Sequence, residues 1–223
     1  LEFEEKPKKP KSTLASMGIY VFSTQKLFKY LEKDASNPSS SNDFGKNVLP
    51  DMLLSGEKMM AYEFHGYWKD VGTIDSLYEA NMDLLGDNPV FDINDTTWRI
   101  HSRSPLASPH YIADNTKTVN SIIMSGCEVY GTVENSVLAS GVVVKKGAVI
   151  KNSIVMADAV ISENAVIDYS IIDENTVIGK NCVIGESKSN KKGIAVIGRD
   201  LNIADGVSVK GGEIIENDLG VEG

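Results

Sequence analysis

Two different patterns of apolar and polar positions divide this chain. Up to about residue 97, apolar residues fall into separate runs with the spacing of strands and of helices. From about residue 121 they return instead at short, regular intervals. A change of period along one chain indicates two parts that are built differently. We therefore predict an α/β part in residues 1–97, a connecting arm in residues 98–115 and a repetitive part in residues 116–223.

The first part begins with signals for a strand and then a helix. Residues 14–22 form an apolar run with little charge and β-forming residues at its end, which predicts a buried strand. Ser23 follows as a helix cap. The predicted helix carries Leu27, Phe28 and Leu31 on one face, as expected for an amphipathic helix.

Further along the first part, Asp43 predicts a second helix cap, and residues 63–71 predict a strand that runs into a loop. Thr73 caps a third predicted helix. Gly86 and Pro89 are typical of the end of such a helix. Strands and helices that alternate in this way predict an α/β architecture.

The second part repeats around four serines, each followed by two aliphatic residues. Ser121, Ser136, Ser153 and Ser170 are separated by 15, 17 and 17 residues. Within each step an aliphatic residue recurs every five or six positions, mostly with a small residue two positions before it. Alternate residues of a strand face the same side, so both point inward.

Short strands joined by a turn every five or six residues predict a chain that winds around three sides of a triangular prism. We therefore predict a left-handed parallel β-helix of hexapeptide repeats, with about 17 residues in each coil. The alternative is an ordinary β-sandwich, whose strands recur at wider spacing. The predicted inward column includes Ile123, Leu138, Val155 and Ile172.

Composition narrows the classes of function. The chain has 223 residues and a formal net charge of −9, which argues against a general affinity for nucleic acid or for an anionic membrane. Its apolar runs are shorter than the roughly 18 residues of a membrane span. Cys127 and Cys182 lack a CxxC spacing, so we expect a reducing, cytoplasmic location. The chain begins at Leu1, and we expect that the native N-terminus is missing.

Four short motifs follow one another along the first part. They are Phe3-Glu4-Glu5-Lys6-Pro7, Ala15-Ser16-Met17-Gly18-Ile19-Tyr20-Val21-Phe22, Asp43-Phe44-Gly45-Lys46 and Gly66-Tyr67-Trp68-Lys69-Asp70-Val71-Gly72-Thr73. In this order they resemble segments of bacterial glucose-1-phosphate adenylyltransferases (ADP-glucose pyrophosphorylases). The second and fourth motifs are the specific ones. With the β-helix, the resemblance covers nearly the whole chain.

The resemblance implies the C-terminal part of a Rossmann-like nucleotidyltransferase domain, followed by a β-helix. The glycine-rich loop of the family, and the nucleotide-binding half that contains it, have no counterpart in this sequence. The family transfers AMP from ATP to α-D-glucose 1-phosphate, giving ADP-glucose and pyrophosphate for glycogen biosynthesis. The resemblance also implies Mg²⁺ as cofactor, a homotetramer and allosteric control. The identity of the allosteric effector stays open. We expect this chain by itself to be inactive.

The resemblance also implies roles for four residues. Asp70 would be a Mg²⁺ ligand and a catalytic residue, and the second carboxylate would come from the half that is absent. Lys6 would hold the phosphate of glucose 1-phosphate, Glu5 would bind the sugar hydroxyls, and Ser16 would line the glucose pocket. The residues alone leave alternatives open, because Lys6 lies in a lysine-rich stretch and a strand serine usually satisfies only the backbone.

Three other functions compete with this hypothesis. A nucleotidyltransferase for another sugar, such as mannose 1-phosphate, is the nearest of them. A non-catalytic regulatory or scaffolding homologue is the second, although the intact Trp68-Lys69-Asp70 string argues against it. A coenzyme A-dependent acyltransferase is the third. Such β-helix enzymes usually need a histidine as general base, and His110 is the last histidine of the sequence.

Overall fold

The computed structural model describes residue 3 and residues 6–101 and 106–220. The chain divides into two compact units, Leu1–Gly66 and Tyr67–Gly223. The third predicted helix therefore belongs to the same unit as the repeats. The domain boundaries at residues 97 and 115 stay predictions.

The first unit is built from helices. Helix α1 spans Thr24–Ala35, and a π-helical turn at Phe44–Val48 leads into helix α2 at Leu49–Leu54. Asp43 caps the π-helical turn as predicted, because its carboxylate accepts a hydrogen bond from the Lys46 N–H at 2.9 Å. This bond satisfies one of the amide groups that the start of a helix leaves unpaired.

The core of the first unit forms where α1 meets the π-helical turn and α2. Tyr30, Val48 and Met52 are all at most 5% exposed. The predicted apolar face of α1 is wrong in one residue, because the Phe28 side chain is 57% exposed. Tyr30 instead brings the ring into the core, and its hydroxyl donates a hydrogen bond to the half-buried Glu57 carboxylate at 3.0 Å.

The two strands predicted for the first part do not form. Residues 14–22 and 63–71 are outside any β-ladder, and the Val21 side chain is 99% exposed. A strand is stable only when its N–H and C=O groups pair with a neighbouring strand. The described residues 6–101 contain no β-strand that could act as this neighbour. The apolar run indicated a segment that could join a sheet, but among the described residues 6–101 there is no strand for it to pair with.

Helix α3 opens the second unit and spans Ile74–Met82. Thr73 is its cap, as predicted. The Thr73 side chain accepts a hydrogen bond from the Ser76 N–H, and the Ser76 side chain accepts one from the Thr73 N–H, each at 3.1 Å. Such a capping box satisfies two amide groups reciprocally. Gly86 adopts a φ of +98° after the helix, a conformation that favours glycine.

A left-handed parallel β-helix of about six turns occupies residues 111–215, which confirms the predicted architecture. It has three parallel sheets of six short strands each. Sheet A contains β1 Tyr111–Ile112, β4 Glu128–Val129, β7 Val143–Val144, β10 Val160–Ile161, β13 Val177–Ile178 and β16 Asn202–Ile203. Sheet B contains β2 Lys117–Val119, β5 Thr132–Glu134, β8 Val149–Lys151, β11 Val166–Asp168, β14 Val183–Ile184 and β17 Ser208–Val209. Sheet C contains β3 Ile122–Ile123, β6 Val137–Leu138, β9 Ile154–Val155, β12 Ser170–Ile172, β15 Ala195–Ile197 and β18 Ile214–Ile215.

The inward aliphatic column is continuous from coil to coil. Leu138, Val155 and Ile172 stack in register on neighbouring strands of sheet C and are fully buried. Ile123 is only half-buried, because its strand β3 lies at the edge of sheet C and has a neighbour on one side only. The prediction of the column is therefore confirmed, with its first member partly exposed.

The repeated serines form a hydrogen-bonded column at one corner of the β-helix. The Ser153 N–H donates to the Ser136 hydroxyl, and the Ser170 N–H donates to the Ser153 hydroxyl, both at 3.1 Å. The Ser153 hydroxyl in turn donates to the Lys151 carbonyl at 2.6 Å. A buried corner leaves backbone groups without ladder partners, and the hydroxyls supply those partners. This explains why the serines recur with the length of one coil.

Helix α3 covers the outer face of sheet C. Tyr78 of α3 packs with Ile154, Ile171 and Ile194, and each of these four side chains is at most 6% exposed. Burial of this apolar surface fixes α3 on the β-helix. Among the described residues, none of the helices is long and apolar enough to span a bilayer.

Candidate functional site

Asp70 lies in the loop before helix α3. Its side chain is exposed, and its carboxylate accepts a hydrogen bond from the Gly72 N–H at 3.2 Å. Thr73 and Ser76 cap the helix themselves, so Asp70 is not used as the cap. The amide groups at the start of a helix favour anions nearby. Asp70 therefore presents a carboxylate at a position where phosphates would also be favoured.

The chemistry of Asp70 fits a partial Mg²⁺ site. Mg²⁺ takes oxygen ligands and usually combines one or two carboxylates with substrate phosphates and water. Asp70 supplies one such carboxylate. Within the described ranges, no group of three or more histidine, cysteine or acidic side chains could hold a metal ion. Asp70 therefore suits one ligand of a site that substrate and other groups would complete.

The residue before Asp70 is held on helix α3. The Lys69 ammonium is 2.8 Å from the Asp83 carboxylate and 3.2 Å from that of Glu79. The Tyr67 hydroxyl also donates a hydrogen bond to Asp83, at 3.0 Å. The hydrogen bond from Lys69 holds the pKa of Asp83 below its ordinary value, and the same bond raises the pKa of Lys69. Tyr67 and Lys69, the residues on either side of Trp68, thus connect the Asp70 loop to α3 and to Asp83, which directly follows the helix.

Ser16 lies in a turn of the first unit rather than in the predicted buried strand. Its hydroxyl oxygen accepts a hydrogen bond from the Gly18 N–H at 3.2 Å and is 3.0 Å from the Tyr20 hydroxyl. Gly18 has a φ of +70°, which lets the chain reverse so that Tyr20 reaches back to Ser16. The Ser16 side chain is exposed and available to a ligand.

An aromatic cluster surrounds this turn. The Tyr20 ring stacks on the Phe44 ring, with centroids 6.2 Å apart and planes at 11°. The Phe22 ring contacts both, with centroids at 5.9 and 6.0 Å. Tyr20 and Phe44 are each 38% exposed, so the cluster presents an aromatic surface to solvent. Aromatic surface next to hydroxyl groups suits a sugar ring, which has both apolar and hydroxyl-bearing faces.

Lys6 acts electrostatically on Asp43. The pKa of Asp43 is lowered mainly by the hydrogen bond from the Lys46 N–H, and the positive charges of Lys46 and Lys6 lower it further. Lys6 itself has a φ of +47°, an uncommon conformation for a lysine. Glu5, the fourth predicted site residue, lies outside the described residues.

On the first unit the structure shows three further residues near the predicted ones: Tyr20 contacts Ser16, Phe44 stacks on Tyr20, and the charge of Lys6 acts on Asp43. Tyr20, Asp43 and Phe44 accompany Ser16 and Lys6, although the sequence suggested only a strand residue and a helix cap at these positions. The signal was present in the sequence, because Tyr20 ends the specific Ala-Ser-Met-Gly-Ile-Tyr string and Asp43 begins the next motif. Asp70 belongs to the second unit, and its role stays a prediction, as do the roles of Lys6, Glu5 and Ser16.

Comparison with family models agrees with the division into two architectures. The model of the nucleotidyl transferase family matches residues 1–87. The model of the GlmU-like C-terminal hexapeptide family matches residues 110–197. The first match includes the Asp70 loop and α3, although these lie in the same compact unit as the β-helix.

Similar proteins are named glucose-1-phosphate adenylyltransferase. The chain is 59% identical over 145 residues to the one from Clostridium botulinum (strain Alaska E43 / Type E3), covering 65% of this chain and 38% of the relative. It is 57% identical over 147 residues to the one from Bacillus cereus (strain ATCC 14579), covering 66% and 39%. It is 55% identical over 147 residues to the one from Desulforamulus reducens, covering 66% and 37%. The matched part is less than two fifths of each relative's length.

Proposed function

This chain is similar to glucose-1-phosphate adenylyltransferases, and from that premise we propose that the whole protein transfers AMP from ATP to α-D-glucose 1-phosphate. The products are ADP-glucose and pyrophosphate. The single observation that carries the proposal is the 55–59% identity to relatives with this name, over 145 to 147 residues. Identity at this level supports a shared reaction, and the Asp70 loop lies within the match to the nucleotidyl transferase family.

The reaction needs positioning and charge neutralisation more than covalent help from the protein. An oxygen of the glucose 1-phosphate attacks the α-phosphorus of ATP, and a new phosphorus–oxygen bond forms. The bond from that phosphorus to the bridging oxygen of the β-phosphate breaks, and pyrophosphate leaves with the electron pair. Two anions must be held in line for this step, so the protein contributes by orientation and electrostatics.

Asp70 would hold Mg²⁺ in this reaction. The ion, when bound, neutralises phosphate charge that builds up during transfer. Asp70 is exposed and adjoins the start of α3, so a phosphate and the carboxylate could both approach the same cation. Asp70 would contribute one ligand, and substrate phosphates and other groups would supply the rest.

The first unit would bind the sugar phosphate. Lys6 is proposed to pair with the phosphate, because an ammonium group forms charge-assisted hydrogen bonds with phosphate oxygens. Ser16 and Glu5 are proposed to bind sugar hydroxyls. The stacked rings of Tyr20 and Phe44 provide an aromatic surface beside Ser16 that supports this assignment.

The setting of the enzyme is proposed from the same resemblance. ADP-glucose is an activated glucosyl donor, and we place the protein in cytoplasmic glycogen biosynthesis. We further propose a homotetramer under allosteric control. Neither nucleic acid nor a membrane is proposed as a partner, and the net charge of −9 agrees with that view.

The proposal is tested by comparing substrates with the longest natural form of the protein. With Mg²⁺ present, kcat/KM is measured for ATP with glucose 1-phosphate and for GTP with mannose 1-phosphate, by release of pyrophosphate. We expect a preference for the first pair of at least about a hundredfold, or about 2.7 kcal/mol. A preference for the second pair would overturn the substrate. Release of pyrophosphate with neither pair would favour a scaffolding homologue.

A further inference from the structure

The loop that carries Asp70 has its backbone outside any β-ladder. Its position therefore depends on contacts made by its side chains. Within it, Lys69 forms the ion pair with Asp83, and only 24% and 26% of these two side chains are exposed. Partial burial reduces the screening of such a pair by water and salt. The Tyr67 ring stacks on Phe91 at 5.5 Å while its hydroxyl bonds to Asp83. The loop is therefore fixed at two residues that precede Asp70.

Asp83, the acceptor of both contacts, directly follows helix α3. Helix α3 is in turn fixed on the β-helix by Tyr78. The Tyr78 hydroxyl donates a hydrogen bond to the Asn152 carbonyl at 2.8 Å, and its ring meets the Tyr169 ring edge-on at 5.0 Å. Tyr78 is 3% exposed, and burial raises its pKa, so the hydroxyl stays protonated and remains a donor at neutral pH.

The Asn152 carbonyl belongs to a rigid corner of the β-helix. The Asn135 amide donates to the Asn152 side chain, and the Asn152 amide donates to the Asp168 carboxylate, both at 3.0 Å. Asn152 adopts a φ of +46°, the left-handed conformation that the corner requires. A side-chain ladder between coils fixes this corner, so the bond from Tyr78 ends on a well-defined acceptor.

From this series of contacts we infer that Lys69 and Asp83 are positioning residues, which fix the Asp70 carboxylate relative to the β-helix through helix α3. The β-helix is then the rigid support to which the Asp70 carboxylate is fixed. The inference rests on the proposed role of Asp70 in holding Mg²⁺. It extends that role by naming the residues that position the carboxylate.

The inference follows from the short covalent distance between Lys69 and Asp70. Consecutive Cα atoms are about 3.8 Å apart, so any backbone shift at Lys69 after its side chain is released is transmitted directly to Asp70. A displacement of about 1 Å in a catalytic group can lower a rate about a hundredfold. Loss of the ion pair should therefore affect turnover and the Mg²⁺ requirement, and not only stability.

The test uses the longest natural form of the protein with Lys69→Ala, Asp83→Asn and the double variant. The concentration of Mg²⁺ at half-maximal activity and kcat are measured for each. Lys117→Ala is the matched control, since Lys117 forms an ion pair with Glu134 in the same unit but on sheet B of the β-helix. Lys69→Arg tests rescue, because it keeps a cation that can pair with Asp83.

We expect Lys69→Ala and Asp83→Asn each to lower kcat by about ten- to a hundredfold and to raise the Mg²⁺ requirement. The double variant should lose less than the product of the two single losses, because both changes remove the shared Lys69–Asp83 ion pair. Lys69→Arg should recover most of the activity, and Lys117→Ala should match the wild type. Unchanged kcat and Mg²⁺ requirement in both single variants would overturn the inference.

A spectroscopic measurement keeps the inference testable if Lys69→Ala or Asp83→Asn proves unstable. Trp68 lies between Tyr67 and Lys69, and 5-fluorotryptophan labelling gives it a ¹⁹F resonance that is assigned by its loss in Trp68→Phe. Tyr67→Phe removes only the hydroxyl bond to Asp83 and keeps the ring on Phe91, so it should fold. We expect the Trp68 resonance to shift in Tyr67→Phe and in Lys69→Ala. An unshifted resonance in both variants would contradict the inference.

Failure of the inference can be distinguished from failure of the proposed function. If Asp70→Asn keeps near-normal turnover, the Mg²⁺ role of Asp70 is wrong and the inference loses its basis. If Asp70→Asn is inactive while Lys69→Ala and Asp83→Asn behave as wild type, the role of Asp70 stands and the positioning role is wrong.

Discussion

The hydrogen bond from the Lys46 N–H is the main reason that the pKa of Asp43 is lowered, and the charge of Lys6, the residue proposed to bind the sugar phosphate, adds to this effect. The neighbours of Lys6 in sequence include Lys8 and Lys9, whose side chains are exposed. Replacing these lysines one at a time distinguishes a lysine that binds the phosphate from a general effect of positive charge. At the residue scale, the proposed site therefore depends on which single ammonium group contacts the substrate.

We predict that Lys6→Ala in the longest natural form raises the half-saturating concentration of glucose 1-phosphate by roughly ten- to a hundredfold. A hydrogen bond to a charged group contributes about 1.5–3 kcal/mol, and 1.36 kcal/mol corresponds to a factor of ten. Steady-state kinetics with each substrate varied in turn would measure it, with Lys8→Ala as control. A higher requirement for ATP with an unchanged requirement for glucose 1-phosphate would show that Lys6 has been assigned wrongly.

The ion pair of Asp83 leads to a prediction about how the stability of the fold depends on pH. Its folded-state pKa lies below the ordinary value of about 3.9, because Lys69 and Tyr67 donate hydrogen bonds to the carboxylate. A depressed pKa stabilises the fold above the ordinary value, and that stabilisation is lost as the pH falls through the depressed pKa. Asp83→Asn should therefore melt at a lower temperature than the wild type at pH 7, and the difference should narrow as the pH falls below about 4 toward the depressed pKa.

Thermal melts followed by circular dichroism across pH 3–7 would test this prediction. Asp87→Asn is a suitable control, because Asp87 is exposed on the segment that follows α3. A difference between wild type and Asp83→Asn that stays constant over this range would mean that the ion pair with Lys69 contributes little to the fold.

At the element scale, the two parts of the chain differ in how far the sequence determines them. Each coil of the β-helix repeats the same local pattern, so Ser136, Ser153 and Ser170 predicted both the coil length and the inward face. The strand expected at residues 14–22 has no neighbouring strand in the described residues 6–101, and a strand cannot be inferred without its partner. Helix caps at Asp43 and Thr73 were predictable because a cap is a local interaction.

The candidate site was predictable in its motif residues but not in its contacts. Ser16 and Asp70 were identified from short strings of sequence. The contact of Tyr20 with Phe44 joins residues of different motifs, and the ion pair of Lys69 with Asp83 joins a loop to the end of a helix. Such contacts depend on the tertiary structure, so spacing along the chain does not reveal them.

Ile172 provides the test of the β-helix itself. It is fully buried between coils, so Ile172→Asp places a charge without a partner in the column and should cost more than about 4 kcal/mol, enough to unfold the module. Ile214→Asp is the matched control, since Ile214 is on the same sheet but 54% exposed, and should change stability by about 0.5 kcal/mol. Similar melting temperatures for both variants would contradict the inward column.

At the scale of the whole molecule, this chain covers less than two fifths of the relatives that it matches. The proposed reaction needs groups that hold the phosphates of ATP, and the family resemblance assigns those groups to a half that is not in this sequence. We therefore predict that the chain of 223 residues by itself, although it contains Asp70, releases no pyrophosphate from ATP and glucose 1-phosphate with Mg²⁺. Sustained release by the purified chain would show that the prediction is wrong.

The most direct test of the account is the Asp70→Asn variant of the longest natural form, assayed for ADP-glucose by mass spectrometry over a range of Mg²⁺ concentrations. The change keeps the size of the side chain and removes its charge. Loss of a metal ligand should cost several kcal/mol of transition-state stabilisation, which means a loss in turnover of at least about a hundredfold. The circular dichroism spectrum should be unchanged, because the Asp70 side chain is exposed. The account predicts ADP-glucose from the wild type and almost none from the variant, whereas near-normal turnover with unchanged Mg²⁺ dependence would contradict it.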